Sequence, residues 1–180
     1  MKFLITSLVL SFGLTAIAAE VDVKKSEFKW TASKVTGKHY GTVPIKKAEL
    51  RTDKKNEVTG GKFVLDLKNF TVDDLSGKWE KKFLTHMKSE DFFEVSKYPD
   101  AKLILTEMKK GMATGKLTIK GKTETVKFPY TSKNGVYSGT LKFDRTKFDM
   151  RYGSKSFFKS LGDKAIDNKV IVEFKVSLKK

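Results

Sequence analysis

The sequence predicts an all-β fold: an antiparallel barrel of about eight strands carrying one or two short helices. Three observations carry this expectation. Apolar and polar residues alternate with a period of two along most of the chain. Gly-bearing breaks separate the alternating runs, among them Gly60-Gly61, Lys110-Gly111, Gly121 and Asn134-Gly135. With only 3 Pro in 180 residues, and frequent Gly, Thr and Val, the composition leans the same way.

The N-terminal residues stand outside that pattern. Met1-Lys2 is a short basic start, and residues 3–17 are almost wholly apolar. Ala16-Ile17-Ala18 then offers small residues where a signal peptidase reads, so cleavage after Ala18 or Ala19 is expected. The alternative, a membrane anchor, has too short an apolar run and no basic stop-transfer cluster after it. Residues 1–19 are therefore expected to be a signal peptide and residues 20–180 one exported, periplasmic domain.

The strands follow in order. Phe28, Trp30 and Ala32 alternate with charged and hydroxyl residues, and residues 45–51 form the next run. Phe63, Leu65 and Leu67 alternate with Lys62, Asp66 and Lys68. Residues 78–88 break the period: Trp79, Phe83, Leu84 and Met87 fall at helical spacing opposite lysines, which predicts an amphipathic helix across the barrel. Alternation resumes at Leu103 and Leu105, at residues 112–120 with Leu117 and Ile119, at Val126, Phe128 and Tyr130, and at Leu141 and Phe143. Asn134-Gly135 is the best hairpin turn in the chain. Residues 154–161 are a second, shorter helix candidate, and Val170 to Leu178 complete the set. A twisted sheet of this many strands closes to remove its edges.

Composition excludes several chemistries. With 0 Cys there are no disulfides, thiolate nucleophiles or Cys-based metal sites. There is no G-x-S-x-G elbow, phosphate-cradling loop or H-E-x-x-H motif. The 2 His, His39 and His86, stand far apart; the bland reading makes His39 a turn residue and His86 a hydrogen-bonded helix residue. A net charge of +16 comes almost entirely from Lys, since Arg occurs only as Arg51, Arg145 and Arg151. That balance is a poor nucleic-acid signature, because base and phosphate readout favours the bidentate Arg fork. Lysines alternating with apolar residues read as a solvated barrel exterior or as attraction to anionic envelope surfaces.

The 14 Phe, 2 Trp and 5 Tyr are more informative. Trp30, Phe63, Leu65, Leu117, Ile119, Phe128 and Phe143 are predicted to share one interior wall. Phe92, Phe93, Phe148, Tyr152 and Phe157, from the segments that interrupt the alternation, are expected to line or close it. Periodicity does not separate a filled core from a ring-lined lipid cavity. If a cavity exists, His86, Arg145 and Arg151 are the rarest cations available for the polar end of a ligand.

Four stretches carry a resemblance. Residues 30–41 (Trp30-Thr31-Ala32-Ser33 through His39-Tyr40-Gly41), residues 84–93 (His86-Met87-Lys88-Ser89-Glu90-Asp91-Phe92-Phe93 at their centre), residues 115–123 (Gly115-Lys116-Leu117-Thr118-Ile119) and Asp144-Arg145-Thr146-Lys147-Phe148 with Tyr152-Gly153 resemble the motifs of the YceI-like family of bacterial polyisoprenoid-binding proteins. The resemblance spans the mature chain in order. It implies a lipocalin-like barrel, usually a homodimer, enclosing an elongated apolar tunnel for an isoprenoid chain or another long amphiphile. It implies no enzyme activity and no cofactor. Asp149 stands where the family often has Gly, which adds a charge at the barrel end. The expected function is a periplasmic carrier or sequestering protein for such a lipid. The alternatives are a basic envelope-interaction module with a filled barrel, and a lipid-modifying enzyme using His86 and Asp91.

Overall fold

Alternating runs that follow one another closely in sequence pair as neighbours. In the computed structural model, which describes residues 17–179, they build one antiparallel sheet. Its strands are β1 (Ile17–Ala19), β2 (Glu27–Lys34), β3 (Gly37–Thr42), β4 (Ile45–Thr52), β5 (Val58–Asp66), β6 (Asp100–Lys109), β7 (Met112–Ile119), β8 (Lys122–Lys133), β9 (Val136–Asp144) and β10 (Ile166–Ser177). One α-helix, α1 (Gly77–Lys88), interrupts them between β5 and β6. The strand order is β1-β4-β5-β6-β7-β8-β9-β10-β2-β3. From β4 to β10 it is a meander; β2 then adds to β10, with Trp30 opposite Val172 and Phe28 opposite Phe174.

The sheet curls without a closing ladder. Among the described residues no pairing joins β3 to β4; the corner at Val43-Pro44 carries the chain from one to the other. Its backbone groups are used: Val43 N–H donates to the Phe28 carbonyl at 2.9 Å, and the Pro44 carbonyl accepts from Asp66 N–H at 2.9 Å. The outer edge of β3 is covered by the segment after β5, through Thr71 N–H to the Thr42 carbonyl (2.9 Å) and Asp73 N–H to the Tyr40 carbonyl (2.8 Å). The edge at β3 is thus occupied without full closure.

The barrel-like all-β class stands, with a strand count of ten in place of about eight. The difference lies in β1 and β3. β3 has two glycines and no apolar alternation, so its sequence reads as a turn; pairing with β2 makes it a strand, with Trp30 opposite Gly41. β1 falls within the segment expected to be a leader, the rest of which lies outside the described residues. The helix forms where its periodicity places it. Residues 154–161 are instead a chain of turns, held by Ser154 Oγ donating to Asn168 Oδ1 at 2.7 Å and Asn168 Nδ2 donating to Ser156 Oγ at 2.9 Å. The Asn134-Gly135 hairpin has positive φ at both residues, 52° and 76°, the geometry of a type I′ turn.

Side chains from alternate positions of β2 and β5 to β10 meet inside the sheet and form one buried cluster. Its lower part is packed with rings. Phe28 meets Phe63 edge-on at 5.5 Å between centroids, stacks with Phe174 at 6.1 Å, and Phe174 meets Phe128 at 5.6 Å.

Candidate functional site

Connections in a meander alternate between the two ends of a barrel. The β2–β3 turn, the long β5–β6 connection with α1, the β7–β8 turn and the long β9–β10 connection share one end. Beneath them is an apolar cavity of about 290 Å³. α1 lies over it as a lid, turning Phe83, His86 and Met87 to the cavity while no residue of the helix is fully buried. Trp79, one turn before Phe83, is 65% exposed and does not line the cavity, so the inward face of the helix is shorter than its periodicity.

Most of the predicted residues come together here. Trp30, Leu65, Leu117, Ile119 and Phe143 line the cavity from the strands, and Phe92, Phe93 and Tyr152 from the connections. His86 and Arg145 also face it. Five stand apart. Phe63 and Phe128 lie deeper, around a separate space of about 40 Å³ whose walls Phe28, Leu103, Leu141 and Val172 also belong to the main cavity. Phe148 is buried behind Phe143, edge-on at 5.5 Å, and supports the wall from outside. Phe157 is exposed, and Arg151 lies over its ring at 4.8 Å while bonding Asp149 at 2.9 Å. The reason is local: Asp149 takes the left-handed conformation at φ 63°, which Gly adopts freely and Asp tolerates, and its carboxylate draws Arg151 outward.

Several lining residues were not foreseen. Phe70 and Val43 come from irregular segments, and Met150 follows the left-handed residue, so no period marks them. His39 lines the cavity from β3 rather than sitting in a turn. Its Nδ1 lies 2.7 Å from Asp74 Oδ2, and its ring rests on Phe83, which stacks in turn on Trp30 with 3° between planes. Burial pushes the Asp74 carboxyl up, but Tyr40 N–H and the His39 side chain outweigh this and hold it below the usual carboxylate range. His86 makes a second such pair, Nε2 to Asp91 Oδ2 at 2.9 Å, and its ring meets Tyr152 and Phe92 edge-on. Both histidines of the chain therefore sit at the lidded end of one apolar cavity, each beside a carboxylate. Nothing in their sequence spacing, 35 residues from His39 to Asp74, announces the first pair.

Arg145 has a different role from the one its rarity suggests. It is 3% exposed, and its guanidinium donates from Nε to the Asp167 carbonyl at 2.9 Å, from Nη1 to that of Met150 and from Nη2 to that of Ile166 at 3.1 Å. Burial pulls its pKa down from the ordinary Arg value, against the raising influence of Asp144 and Asp167. The guanidinium remains a cation, because Arg does not deprotonate in proteins. It also stands over Phe92 at 5.9 Å. Arg145 thus fastens the β9–β10 connection to the barrel while presenting a fixed positive charge at the cavity wall.

The arrangement suits an apolar chain with a polar end. Rings and aliphatics form the wall, and polar groups gather near α1. Among the described residues there is no group of three or more His, Cys, Asp or Glu able to hold a metal ion, and no helix long and apolar enough to cross a membrane.

Comparison with known proteins bears on this geometry. The model of the YceI-like domain matches residues 20–178. Among solved structures, BcnA of Burkholderia cenocepacia is similar with a TM-score of 0.67 at 21% identity, covering 87% of this chain and 98% of its own. A polyisoprenoid binding domain from Saccharophagus degradans, implicated in plant cell wall breakdown, gives 0.61 at 12% identity, covering 91% and 98%. The YCEI protein of Campylobacter jejuni gives 0.54 at 16% identity, covering 99% and 92%. No curated protein matches the chain. At these identities the structural likeness speaks for the fold.

Proposed function

This chain belongs to the YceI-like domain family, and on that premise we propose that it binds a long-chain isoprenoid or similar amphiphilic lipid in the cavity beneath α1, as an exported periplasmic carrier or sequestering protein. The observation that carries the reading is the cavity itself: about 290 Å³ of space, walled by rings and aliphatics. A filled barrel would have placed Trp30, Leu117 and Phe143 against one another; here they face a common space. The similarity to a polyisoprenoid binding domain supports the same ligand class. The role is one of binding rather than catalysis, and the protein acts as a homodimer.

Size sets the ligand problem. At ~30 Å³ for each water-sized group, the cavity takes about ten methylene-sized groups. Each buried CH₂ contributes ~0.8 kcal/mol before the cost of ordering the tail. A longer chain must leave through the mouth or open the ring-packed floor.

Leu117→Trp tests the reading. The side chain would enter free space, so the expected outcome is a melting temperature near wild type with loss of binding of a fluorescent long-chain lipid. Overpacking of a filled core would instead lower stability by ~1–3 kcal/mol. Native mass spectrometry followed by lipid extraction is expected to find a co-purifying long-chain species. For export, the protein recovered from the periplasm is expected to begin at Ala19 or Glu20; an intact Met1 on membrane-bound protein would count against it.

A further inference from the structure

Val35 (56% exposed), Trp79 (65%), Tyr152 (47%), Phe157 (48%) and Phe158 (49%) all lie on connections at the cavity end, whereas the other exposed large apolar residues, Val23, Tyr40, Ile104 and Met112, are scattered singly over strands and the opposite end. The turns at the opposite end, residues 53–57, 110–111 and 134–135, contain no aromatic residue at all. The cavity-end connections are fastened together. Val35 N–H donates to the Ala165 carbonyl at 3.2 Å, and Ile166 N–H to that of Gly153 at 2.8 Å. Tyr152 packs on His86 of α1 at 4.6 Å, and Lys120 of the β7–β8 turn donates to the Glu90 carbonyl. The exposed rings therefore stand at one end, over the apolar space that Phe83, Met87 and Tyr152 itself line.

Cations accompany the rings. Lys78, Lys81 and Lys82 flank Trp79 on α1, with Lys82 Nζ 5.7 Å from the indole centroid, and Lys155 and Lys159 flank Phe157 and Phe158. Exposed aromatic rings interspersed with lysines match one chemistry well, the headgroup boundary of a bilayer with anionic lipid. We propose that the cavity end docks on an anionic phospholipid bilayer, with Trp79, Phe157 and Phe158 entering the interface and the surrounding lysines meeting the headgroups. The inference rests on the lipid-binding reading for its purpose: a mouth held against the bilayer lets a chain pass into the cavity without exposure to water. It does not need a bound ligand for its test.

Trp79 is a built-in reporter, because Trp30, the other indole, is only 7% exposed. Ligand-stripped full-length mature protein is mixed with vesicles of phosphatidylcholine alone or with one-third phosphatidylglycerol. The expected result is a blue shift of emission on the anionic vesicles, quenched by brominated acyl chains and absent in Trp79→Phe. Lys81→Glu with Lys82→Glu is expected to weaken vesicle affinity by at least about tenfold. Lys54→Glu with Lys55→Glu, at the opposite end, carries the same charge change and is expected to leave affinity within about twofold. Equal losses from both pairs would mean attraction by charge alone and overturn the docking face. So would the absence of a blue shift, or a blue-shifted Trp79 without vesicles that is lost on dilution, which would place a second copy of the chain on this face. Uptake of a fluorescent long-chain lipid in vesicle-free solution is read separately, so failure of docking with retained uptake overturns the docking alone.

Discussion

Trp30 reaches across β3 to Thr71: its indole Nε1 donates to the Thr71 carbonyl at 3.0 Å, over Gly41, the side-chain-free residue opposite Trp30 on that strand. A Cβ built on Gly41 would stand 2.1 Å from that carbonyl oxygen and 3.0 Å from the indole nitrogen. The contact joins the cavity wall to the segment that covers the outer edge of β3, so one absent side chain serves both the fold and the site.

Gly41→Ala is therefore expected to push the segment carrying Thr71 off β3 and to destabilise the protein by about 2–4 kcal/mol, since neither backbone can yield without losing its hydrogen bonds. Thermal unfolding would read the loss. A melting temperature within a degree of wild type would show that this segment is free to move.

Arg145→Ala removes the donor from three carbonyls at once, and an unsatisfied buried acceptor costs ~1–3 kcal/mol. A destabilisation of about 2–4 kcal/mol is expected in urea unfolding, together with faster proteolysis of the β9–β10 connection. Arg145→Lys keeps the charge and loses the three-way fan, so it is expected to recover only part of the loss. Full recovery would mean that charge, rather than geometry, is what the site requires.

Phe28 is the one ring that lines both the main cavity and the smaller space below it. Phe28→Ala is expected to join them and to shift binding toward longer chains, at ~3–5 kcal/mol of stability. Phe28→Leu, which keeps most of the volume, gives a folded comparison. Affinities for a series of alkyl chains of increasing length would show the shift; an unchanged length optimum in both variants would place the limit elsewhere, at the mouth.

Acid is expected to loosen the edge of β3. Asp74 is held below the usual carboxylate range by Tyr40 N–H and His39, and Asp66 likewise by the side chain of Asn69 and the N–H groups of Lys68 and Asn69, in each case against the raising effect of burial. A lowered folded-state pKa stabilises fully above the unfolded value of ~3.9 and is lost as pH falls through the folded value. Urea midpoints measured from pH 6 to pH 2 should therefore fall below about pH 4. Asp74→Asn should start lower and flatten that limb, and a wild-type slope in the variant would assign the acid limb to other carboxylates.

The period-two pattern determined which residues point inward from β2, β5, β7 and β9, because the pleat allows only two faces and one is wet. Trp30, Leu65, Leu117, Ile119 and Phe143 were legible on that ground alone, as were α1 and the Asn134-Gly135 hairpin. Alternation carries no depth coordinate, however. It could not tell that Phe63 and Phe128 lie below the cavity floor while Leu65 and Leu117 lie above it. Depth follows from strand register and from how far the rings of Phe28 and Phe174 fill the lower barrel, which are properties of the packed whole. Likewise, the scarcity of Arg marked Arg145 and Arg151 equally; only the chain's path through the left-handed Asp149 turned one to the cavity wall and the other to the surface. His39 met Asp74 and Phe83 because β3 pairs with β2 and the segment after β5 folds over its edge. Such contacts join residues tens of positions apart, and no local period encodes them.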